Sequence, residues 1–565
     1  MTALPLPVAS MEFRAHPYVC GAIGPWEKIR LDRLRAAAPV HTRAIHTSGQ
    51  ATLWASSALP VWSSHAGNAW LWAPLAGGPT PRSWQDAAEQ RLAAGLVLEG
   101  STATLHTCAL GLQELYIRQS GDALYFATRI APLLAIDEAL VHTDWSAWAS
   151  ILALGAPIGD ATPFQEIRRM VESTAWCASG QSLRRISFEP AWLAVEPDMK
   201  RDASHLIRIL SEQIPLMRGW RRSALTLSGG WDSRLLGGLA AQRSRRPPLA
   251  WTTSTDDGYD QDIVLSRPVA EAFRMPHRVV IQEPDAWLAE RAEVFHRVQH
   301  QTWLHTWLMP LARQVHRRRE PLLDGLAGDI LLQGSRGSFV DEQILAPTSS
   351  EARRDAMWMK LTGGRLREPA WYAPGVADKL REASRSAFAQ AVGRLDDHPA
   401  APTLSVLLTR TVRAIARSPL CLFAPEVDVR LPFVHPSVLK AALQVPIRGK
   451  IDGRYHRELL MTAAGPKVAG LPSTNDDLPL PPAGARRQTE PAALAAMLAE
   501  IAKDETVRAF LGPQLLPALT DPAERARICS YNGPRSALQG ASMFAHWRAT
   551  YSTKLTSDTG IAAAL

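Results

Sequence analysis

Several things this sequence has little of narrow its class before any motif is read. Its five cysteines, Cys20, Cys108, Cys177, Cys421 and Cys529, are odd in number and widely scattered, with no C-x-x-C or zinc spacing. A disulfide scaffold and a structural zinc site are thereby excluded as organising devices, and a reducing cytoplasm is the expected setting. No signal peptide is recognisable, and no membrane association is expected. The longest stretch without Asp, Glu, Lys or Arg, Ala44 to Pro81, is broken by Pro, Gly, Ser and His. It reads as short strands and turns, not as a span of a bilayer. A large excess of one charge is also lacking: 62 Lys and Arg stand against 54 Asp and Glu, a net +8. The basic clusters Arg221-Arg222, Arg243 to Arg246 and Arg317 to Arg319 are short and read as solvated helix faces. The mild basic balance favours anionic ligands without specifying them. There is no internal repeat and no GxxxxGK[ST] phosphate loop.

What is present is an ordinary globular composition, 46% hydrophobic and 21% charged, in a chain of 565 residues, too long for one core. The first third is rich in Trp and turns. Ala123 to Thr128 has the composition of a buried strand, and short strands alternate with turns to about Pro190, suggesting an α+β or sandwich-like domain. A polar bridge runs from Glu196 to Ser204. Leu206, Ile209, Leu210, Ile214 and Leu216 then recur at near-helical spacing. From Ser223 to Leu227 the pattern is strand-like. Strands expected at Leu249 to Ser254 and Arg278 to Ile281 flank a helix expected over Asp262 to Phe273, the alternation of a parallel α/β sheet. Beyond about Arg353 the pattern is mostly helical, interrupted by a Pro-rich loop from Asp476 to Ala485.

One motif carries chemistry. The strand ending at Leu227 runs into Ser228-Gly229-Gly230-Trp231-Asp232-Ser233 and then into a helix. Two glycines let a phosphate chain approach the backbone, and loop and helix-start N–H groups aim at an anion. Ser228 and Ser233 can donate hydroxyl bonds. Asp232 would repel bare phosphate, so its presence implies Mg²⁺ between them. A chance glycine turn would match five such positions on the order of once per thousand chains of this length. A second carboxylate stands in Leu322-Leu323-Asp324-Gly325-Leu326-Ala327-Gly328-Asp329, where an apolar strand enters a Gly-rich turn. Taken alone, Asp329 could be an N-capping residue on a surface turn. Paired with Asp232 at the ends of parallel strands, it could hold Mg²⁺ on pyrophosphate.

The first loop resembles that of the PP-loop ATP pyrophosphatases, and the chain as a whole resembles their asparagine-synthetase class. Leu225 to Ser233 matches the family's ATP loop, Asp257-Gly258-Tyr259-Asp260 the segment after its second strand, and Gly325 to Asp329 its second Gly-rich loop. Val427-Asp428-Val429-Arg430-Leu431-Pro432-Phe433, running on to Val445-Pro446, is similar to its synthetase signature. Arg457-Glu458-Leu459-Leu460 falls where the family has Lys-x-x-Leu. In the front third, Phe126 to Arg129, Gly159 to Phe164 and Ser179-Gly180-Gln181 look like its amino-terminal glutaminase domain. The resemblance implies two domains. Residues 1–198 would form an α+β glutaminase-like sandwich of the Ntn-hydrolase type, and 199–565 an α/β parallel-sheet synthetase domain with a helical C-terminal part.

It also implies site residues. ATP would bind with its triphosphate over Ser228, Gly229, Gly230, Asp232 and Ser233, and its adenosine near Leu227, Thr253 and Gly325. Mg²⁺ would be held by Asp232 and Asp329. A carboxylate would be activated as its AMP ester and attacked by an amine. The family uses a Lys to stabilise charge at the reacting centre; here either Arg457 does so as a permanent charge, or Lys450 does. The general base is unidentified, with His435 one candidate.

Departures from the family pattern bear on subclass. A working glutaminase of this type needs Cys as its first residue, whose own amino group is the base. Cys20-Gly21-Ala22-Ile23-Gly24 resembles that start but follows nineteen residues, and the family's Arg-Gly-Pro-Asp and Asn-Gly-Glu motifs have no counterpart. The front domain therefore reads as a glutaminase fold without glutaminase activity, with Cys20 a packed cysteine. Relatives of this architecture that close amides inside one molecule include β-lactam and carbapenam synthetases and lasso-peptide macrolactam synthetases. The β-lactam branch has a Tyr, and asparagine synthetases a Glu, where this chain has Leu326, which cannot accept a proton. By elimination the lasso cyclases are favoured. Expected partners are then a precursor core peptide, a leader-binding protein and a leader peptidase. A tRNA-modifying PP-loop enzyme and a non-catalytic scaffold are the competing classes; nucleic acid is not an expected partner.

Overall fold

The computed structural model describes residues 18–556 apart from 57–60, 64–67, 74, 76–81, 197–202, 215–222, 244–245, 255–260, 282–283, 333–338, 364–365, 367–370, 425, 477–489, 514 and 530–531. The chain forms two compact units. Met1–Thr143, Asp160–Pro190 and Thr553–Thr556 make the first; Asp144–Gly159, Ala191–Ser552 and Ser557–Leu565 make the second.

The first unit is built on two six-stranded antiparallel sheets. One has the order β10-β8-β9-β1-β3-β2, from Arg168–Arg169, Tyr116–Ser120, Ala123–Ala127, Val19–Ile23, Ala51–Ser56 and Thr42–Thr47. The other has the order β12-β11-β7-β6-β5-β4, from Ser182–Ser187, Thr174–Ser179, Thr102–His106, Ala94–Glu99, Ala69–Trp72 and Trp62–Ser63. Their inner faces share one core: Val19, Leu53, Ile117 and Phe126 from the first sheet meet Trp72, Leu96 and Leu105 from the second. Trp72 and Phe126 stack with ring centroids 6.4 Å apart. Such facing of two apolar sheets is the sandwich solution to burying strand faces. The edge strand β12 instead carries Arg184 and Arg185, both exposed, which discourages pairing with another chain.

The second unit contains a five-stranded parallel sheet of order β15-β14-β13-β16-β17: His277–Ile281, Leu249–Ser254, Ala224–Thr226, Leu322–Leu323 and Val429–Arg430. The expected strands at 249–254 and 278–281 and the helix between them (Gln261–Ala272) are present. β17, inside the segment 427–433, has only two residues and too short a pattern to be read in advance. From β13 the chain moves to β14 and β15 on one side and then to β16 and β17 on the other. The crevice beyond the carboxyl ends of β13 and β16 is therefore the topological switch point, the usual ligand position in an open α/β sheet. Both Gly-rich loops leave those two strand ends.

The single cut expected at 198/199 did not anticipate that the units interleave. Helix Trp145–Leu154 belongs to the second unit because it is apolar on nearly every face and cannot sit at a solvated edge. Its Trp148 packs on Phe544 and Trp547, some 400 residues along the chain. Among the described residues no helix is long and apolar enough to cross a membrane.

Candidate active site

The segment Ser228–Gly230 joins β13 to the helix Trp231–Arg243. Its donors are already used within the protein. Ser228 N–H donates to Ser233 Oγ at 3.0 Å, Gly230 N–H to Ser228 Oγ at 3.2 Å, and Gly229 N–H to Asp262 Oδ1 at 2.7 Å. The expectation that the whole loop points its N–H groups at an anion is thus revised. What remains for phosphate is the first turn of the helix from Trp231, whose N–H groups have no intrahelical acceptor. Glycine at 229 is required for packing: a Cβ there would lie 2.9 Å from Leu265 Cβ and from Thr474 Cγ2. At Gly230 a Cβ would meet nothing nearer than 3.4 Å.

Arg234 anchors this loop from beneath. Its buried guanidinium donates to the carbonyls of Leu471 (2.7 Å), Pro472 (2.8 Å), Gly229 (3.3 Å) and Val468 (3.3 Å). Thr474 N–H also donates to the Gly229 carbonyl, at 3.1 Å. The stretch after helix Arg454–Ala469 is in this way sewn onto the loop.

The second Gly-rich loop lies directly against Asp232. A Cβ on Gly328 would fall 2.6 Å from Asp232 Cγ, and one on Gly325 would fall 3.4 Å from Asp232 Cβ. Only glycine at 328 permits this approach. Asp324 shapes the turn by accepting from Thr226 Oγ1 at 2.9 Å and Leu326 N–H at 3.0 Å. Ala327 holds a left-handed backbone, φ 74°, rare outside glycine and of a kind that collects at functional sites. Asp329 opens the helix Gly328–Leu332 and its carboxylate accepts from Ile330 N–H at 2.9 Å. The N–H of Asp329 in turn donates to the Asp232 carboxylate.

The structure therefore brings Asp232 and Asp329 together. Burial pushes the Asp232 pKa well up, and the charges of Asp329 and Asp324 push it further. Burial also raises Asp329, with Arg410 opposing. Asp232 Oδ1 is buried with no hydrogen-bond partner among the described residues; His456 Nε2 stands 3.5 Å from it. Two half-buried carboxylates that repel one another, one with an unfilled buried oxygen, fit a divalent cation. The described residues hold no group of three or more His, Cys, Asp or Glu that could enclose a metal. Mg²⁺ takes one or two carboxylates and completes its shell with water and phosphate oxygens.

At the end of β14, the buried Thr253 hydroxyl has no hydrogen-bond partner among the described residues. It stands on the strand next to β13, and an unpaired buried hydroxyl is costly unless a partner completes it. Leu227 is buried beside it, its carbonyl accepting from Thr252 Oγ1 at 2.6 Å. Arg457 lies with its guanidinium 5.4 Å from the Trp231 ring centroid and 3.6 Å from Asp476 Oδ1, more than half exposed. Lys450 differs in every respect. It is fully buried, and its ammonium donates to the carbonyls of Leu331 and Ala442, both at 2.9 Å. Burial draws its pKa down to about 7. It ties the helix carrying Asp329 to helix Pro436–Gln444, a supporting position. His435 caps that second helix, accepting from Ser437 N–H, and burial draws its pKa down to about 4. Asp257 to Asp260 lie outside the described residues.

Sequence reasoning missed Asp262, Arg234 and His456. Asp262 stands two residues past the Asp257–Asp260 string and Arg234 directly follows the loop, so adjacency was the available signal. His456 had none, because only folding brings it to Asp232.

In the first unit, Cys20 sits within β1, paired to Trp54 on one side and Ala127 on the other, and is fully buried. Burial pushes its thiol up to about 12. Tyr18 N–H donates to Ser56 Oγ and Val19 N–H to Thr128 Oγ1, so the residues before Cys20 are part of the sheet.

Residues 215–469 match the family model described as asparagine synthase, a span that contains both Gly-rich loops, Arg457 and Lys450. The chain thus carries, over that span, a segment similar to asparagine synthases. No curated protein matches. Among solved structures, a glutamine phosphoribosylpyrophosphate amidotransferase from B. subtilis complexed with ADP and GMP is similar at 11% identity, over 46% of this chain and 65% of that one, with a TM-score of 0.19. The chain thus spans just under two thirds of that protein's length, and a likeness so slight bears on neither fold nor activity.

Proposed function

We propose that this protein adenylates a side-chain carboxylate of a precursor peptide and joins it to that peptide's own N-terminal amine, closing a macrolactam as lasso-peptide cyclases do. The observation that carries the intramolecular reading is Cys20. A thiol buried mid-strand, held protonated and without a free α-amino group beside it, cannot release ammonia from glutamine. The amine must then come from elsewhere. Leu326, apolar and buried in the Asp324–Asp329 turn, further separates the site from the branches that place a proton acceptor there.

ATP would lie over the start of helix Trp231–Arg243, its triphosphate on the first-turn N–H groups and Ser228. Thr253 would bond the adenosine end. Asp232 and Asp329 would hold Mg²⁺, which when bound would supply positive charge against the departing pyrophosphate. The substrate carboxylate oxygen attacks the α-phosphorus, and the bond to pyrophosphate breaks with its electron pair leaving on the pyrophosphate. Arg457 supplies fixed positive charge at the mouth of the site; Lys450 holds the Asp329 helix in place. The peptide amine then attacks the acyl carbon, the bond from that carbon to the AMP oxygen breaks with its electron pair leaving on AMP, and the amine proton passes to water; pre-folding of the peptide makes that closure effectively unimolecular.

The test is mass spectrometry of linear core peptides with a free N-terminus and an Asp or Glu a few residues in, incubated with protein, ATP and Mg²⁺, with leader-binding protein and leader peptidase supplied. Loss of one water from the peptide, with AMP formed, is expected. Amidation by added ammonia or glutamine with no ring formed would refute the intramolecular reading. AMP formed only with a β-amino acid would favour β-lactam closure.

A further inference from the structure

The two Gly-rich loops leave the carboxyl ends of the parallel strands, so the amino ends of those strands form the far side of the sheet. Each helix that returns to a new strand brings its last turn there. Three of these returns carry arginine at the same place. Arg246, Arg274 and Arg319 each stand three residues before a strand, β14 at Leu249, β15 at His277 and β16 at Leu322. The strands start nearly level: Leu249 and Leu322 both pair with Ala224, and His277 pairs with Ala250. The three positions therefore fall along one rim, which crosses three strand spacings, roughly 15 Å. Arg243, Arg278 and Arg317 flank them, and all six are exposed.

Two observations set this rim apart. The first is its lack of counter-ions. Exposed arginines elsewhere in this unit are paired within the chain, Arg208 with Glu212, Arg385 with Asp355 and Arg508 with Glu505. Among the described residues none of the six rim arginines has an ion-pair partner. Acids near them in sequence act on other groups: Glu320 on Arg318, Glu426 on His316, Asp428 on Arg430 and Glu271 on His277. The second is the backbone. Arg274 and Arg319 are both left-handed, φ 53°, at helix ends where glycine is the usual residue. The attraction of a cation to a helix C-terminus does no more than offset the cost of that conformation, so local structure alone does not account for arginine at both.

The rim also offers little to other polyanions. The Phe273 ring lies against Gly237 and the Trp251 ring beside Arg278 is buried, so neither is free for a base to stack on. Among the described residues no exposed large apolar side chain stands at these strand starts to enter a bilayer. A rim of this length matches four or five residues of extended chain.

We infer that this rim docks an acidic segment of a partner polypeptide, a short run of Asp and Glu whose carboxylates take the guanidinium forks. The inference goes beyond the adenylation reading and uses none of its residues.

The test is fluorescence anisotropy of the full wild-type chain with a fluorescein-labelled oligoglutamate. Duplex RNA is titrated in parallel, and phosphatidylserine vesicles are co-sedimented. The rim variant combines Arg246→Gln, Arg274→Asn and Arg319→Asn; asparagine tolerates the left-handed backbone, so charge is removed with little strain. The control combines Arg208→Gln, Arg385→Gln and Arg508→Gln, the same loss of charge at paired sites. The single rim variants, circular dichroism and MgATP binding accompany them, so that a loss of fold is told from a loss of docking. Oligoglutamate should bind wild type and control alike, and the rim variant about tenfold to a hundredfold more weakly with a shallower salt dependence. Equal weakening in rim variant and control would reduce the binding to net charge and overturn the inference. Absence of oligoglutamate binding to the wild type would overturn it too. RNA or vesicles held more tightly than oligoglutamate, and released by the rim variant, would assign the rim to phosphate and refute the polypeptide partner.

Discussion

Replacing Arg234 by Met removes the side chain that joins the Ser228–Ser233 loop to the segment 468–472. Two of its bonds, at 2.7 and 2.8 Å, are short enough to count fully, and two, at 3.3 Å, contribute less. A hydrogen bond to a charged group is worth ~1.5–3 kcal/mol. Met would fill most of the hydrocarbon volume and remove the cost of burying a cation, a cost visible in a pKa drawn down to about 10. The balance is a destabilisation of ~2–4 kcal/mol, because the carbonyls of Leu471 and Pro472 lose their charged donor. Urea titration should show the midpoint falling with the m-value unchanged. Freed from its tie at the Gly229 carbonyl, the loop should also lose preorganisation and bind MgATP about tenfold more weakly. A variant with the wild-type midpoint and wild-type ATP affinity would refute the anchoring role.

Gly328→Ala places a methyl 2.6 Å from Asp232 Cγ and must displace one loop; AMP formation should drop at least about a hundredfold, as a 1 Å misplacement can cost, while the circular dichroism spectrum is retained. Near-normal turnover would show that the two loops need not approach so closely. Lys450 has its folded pKa lowered to about 7, so above that pH the unfolded chain binds more protons than the folded one, and stability rises with pH until the ordinary lysine value. Relative to Lys450→Met, the wild type should gain up to ~1.4 kcal/mol per pH unit between about pH 7 and 9, less whatever the two carbonyl acceptors return to the charged form; parallel stability curves would contradict it. Glutamine incubated with the protein should yield no glutamate, and Cys20→Ala should leave AMP formation unchanged; a glutaminase activity lost in that variant would overturn the reading of the first unit.

The parallel sheet was legible because its strands are short apolar runs between helical repeats, and 249–254 could be bounded to the residue. The two carboxylates stood out for a different reason: each follows a strand and a glycine turn and sits in the first turn of a helix, which is a local pattern. What escaped was non-local. The first unit's partition missed helix Trp145–Leu154, whose apolar faces are satisfied only by residues near the far end of the chain. His456 meets Asp232 only because the helix Arg454–Ala469 packs on Trp231–Arg243. Lys450 reads in sequence as a cation one loop from Arg457; only the fold reveals that its ammonium is spent on main-chain carbonyls. The Ser228–Ser233 loop was legible in composition but not in how its donors are used, since Asp262 reaches Gly229 from another helix.

The most direct test of the central claim needs no peptide. ATP binding is measured by titration calorimetry, with and without Mg²⁺, for wild type, Asp232→Ala and Asp329→Ala. The account predicts that Mg²⁺ strengthens ATP binding to the wild type and that each variant loses most of that dependence while remaining folded. A Mg²⁺ dependence undiminished in both variants would contradict the assignment of the carboxylate pair.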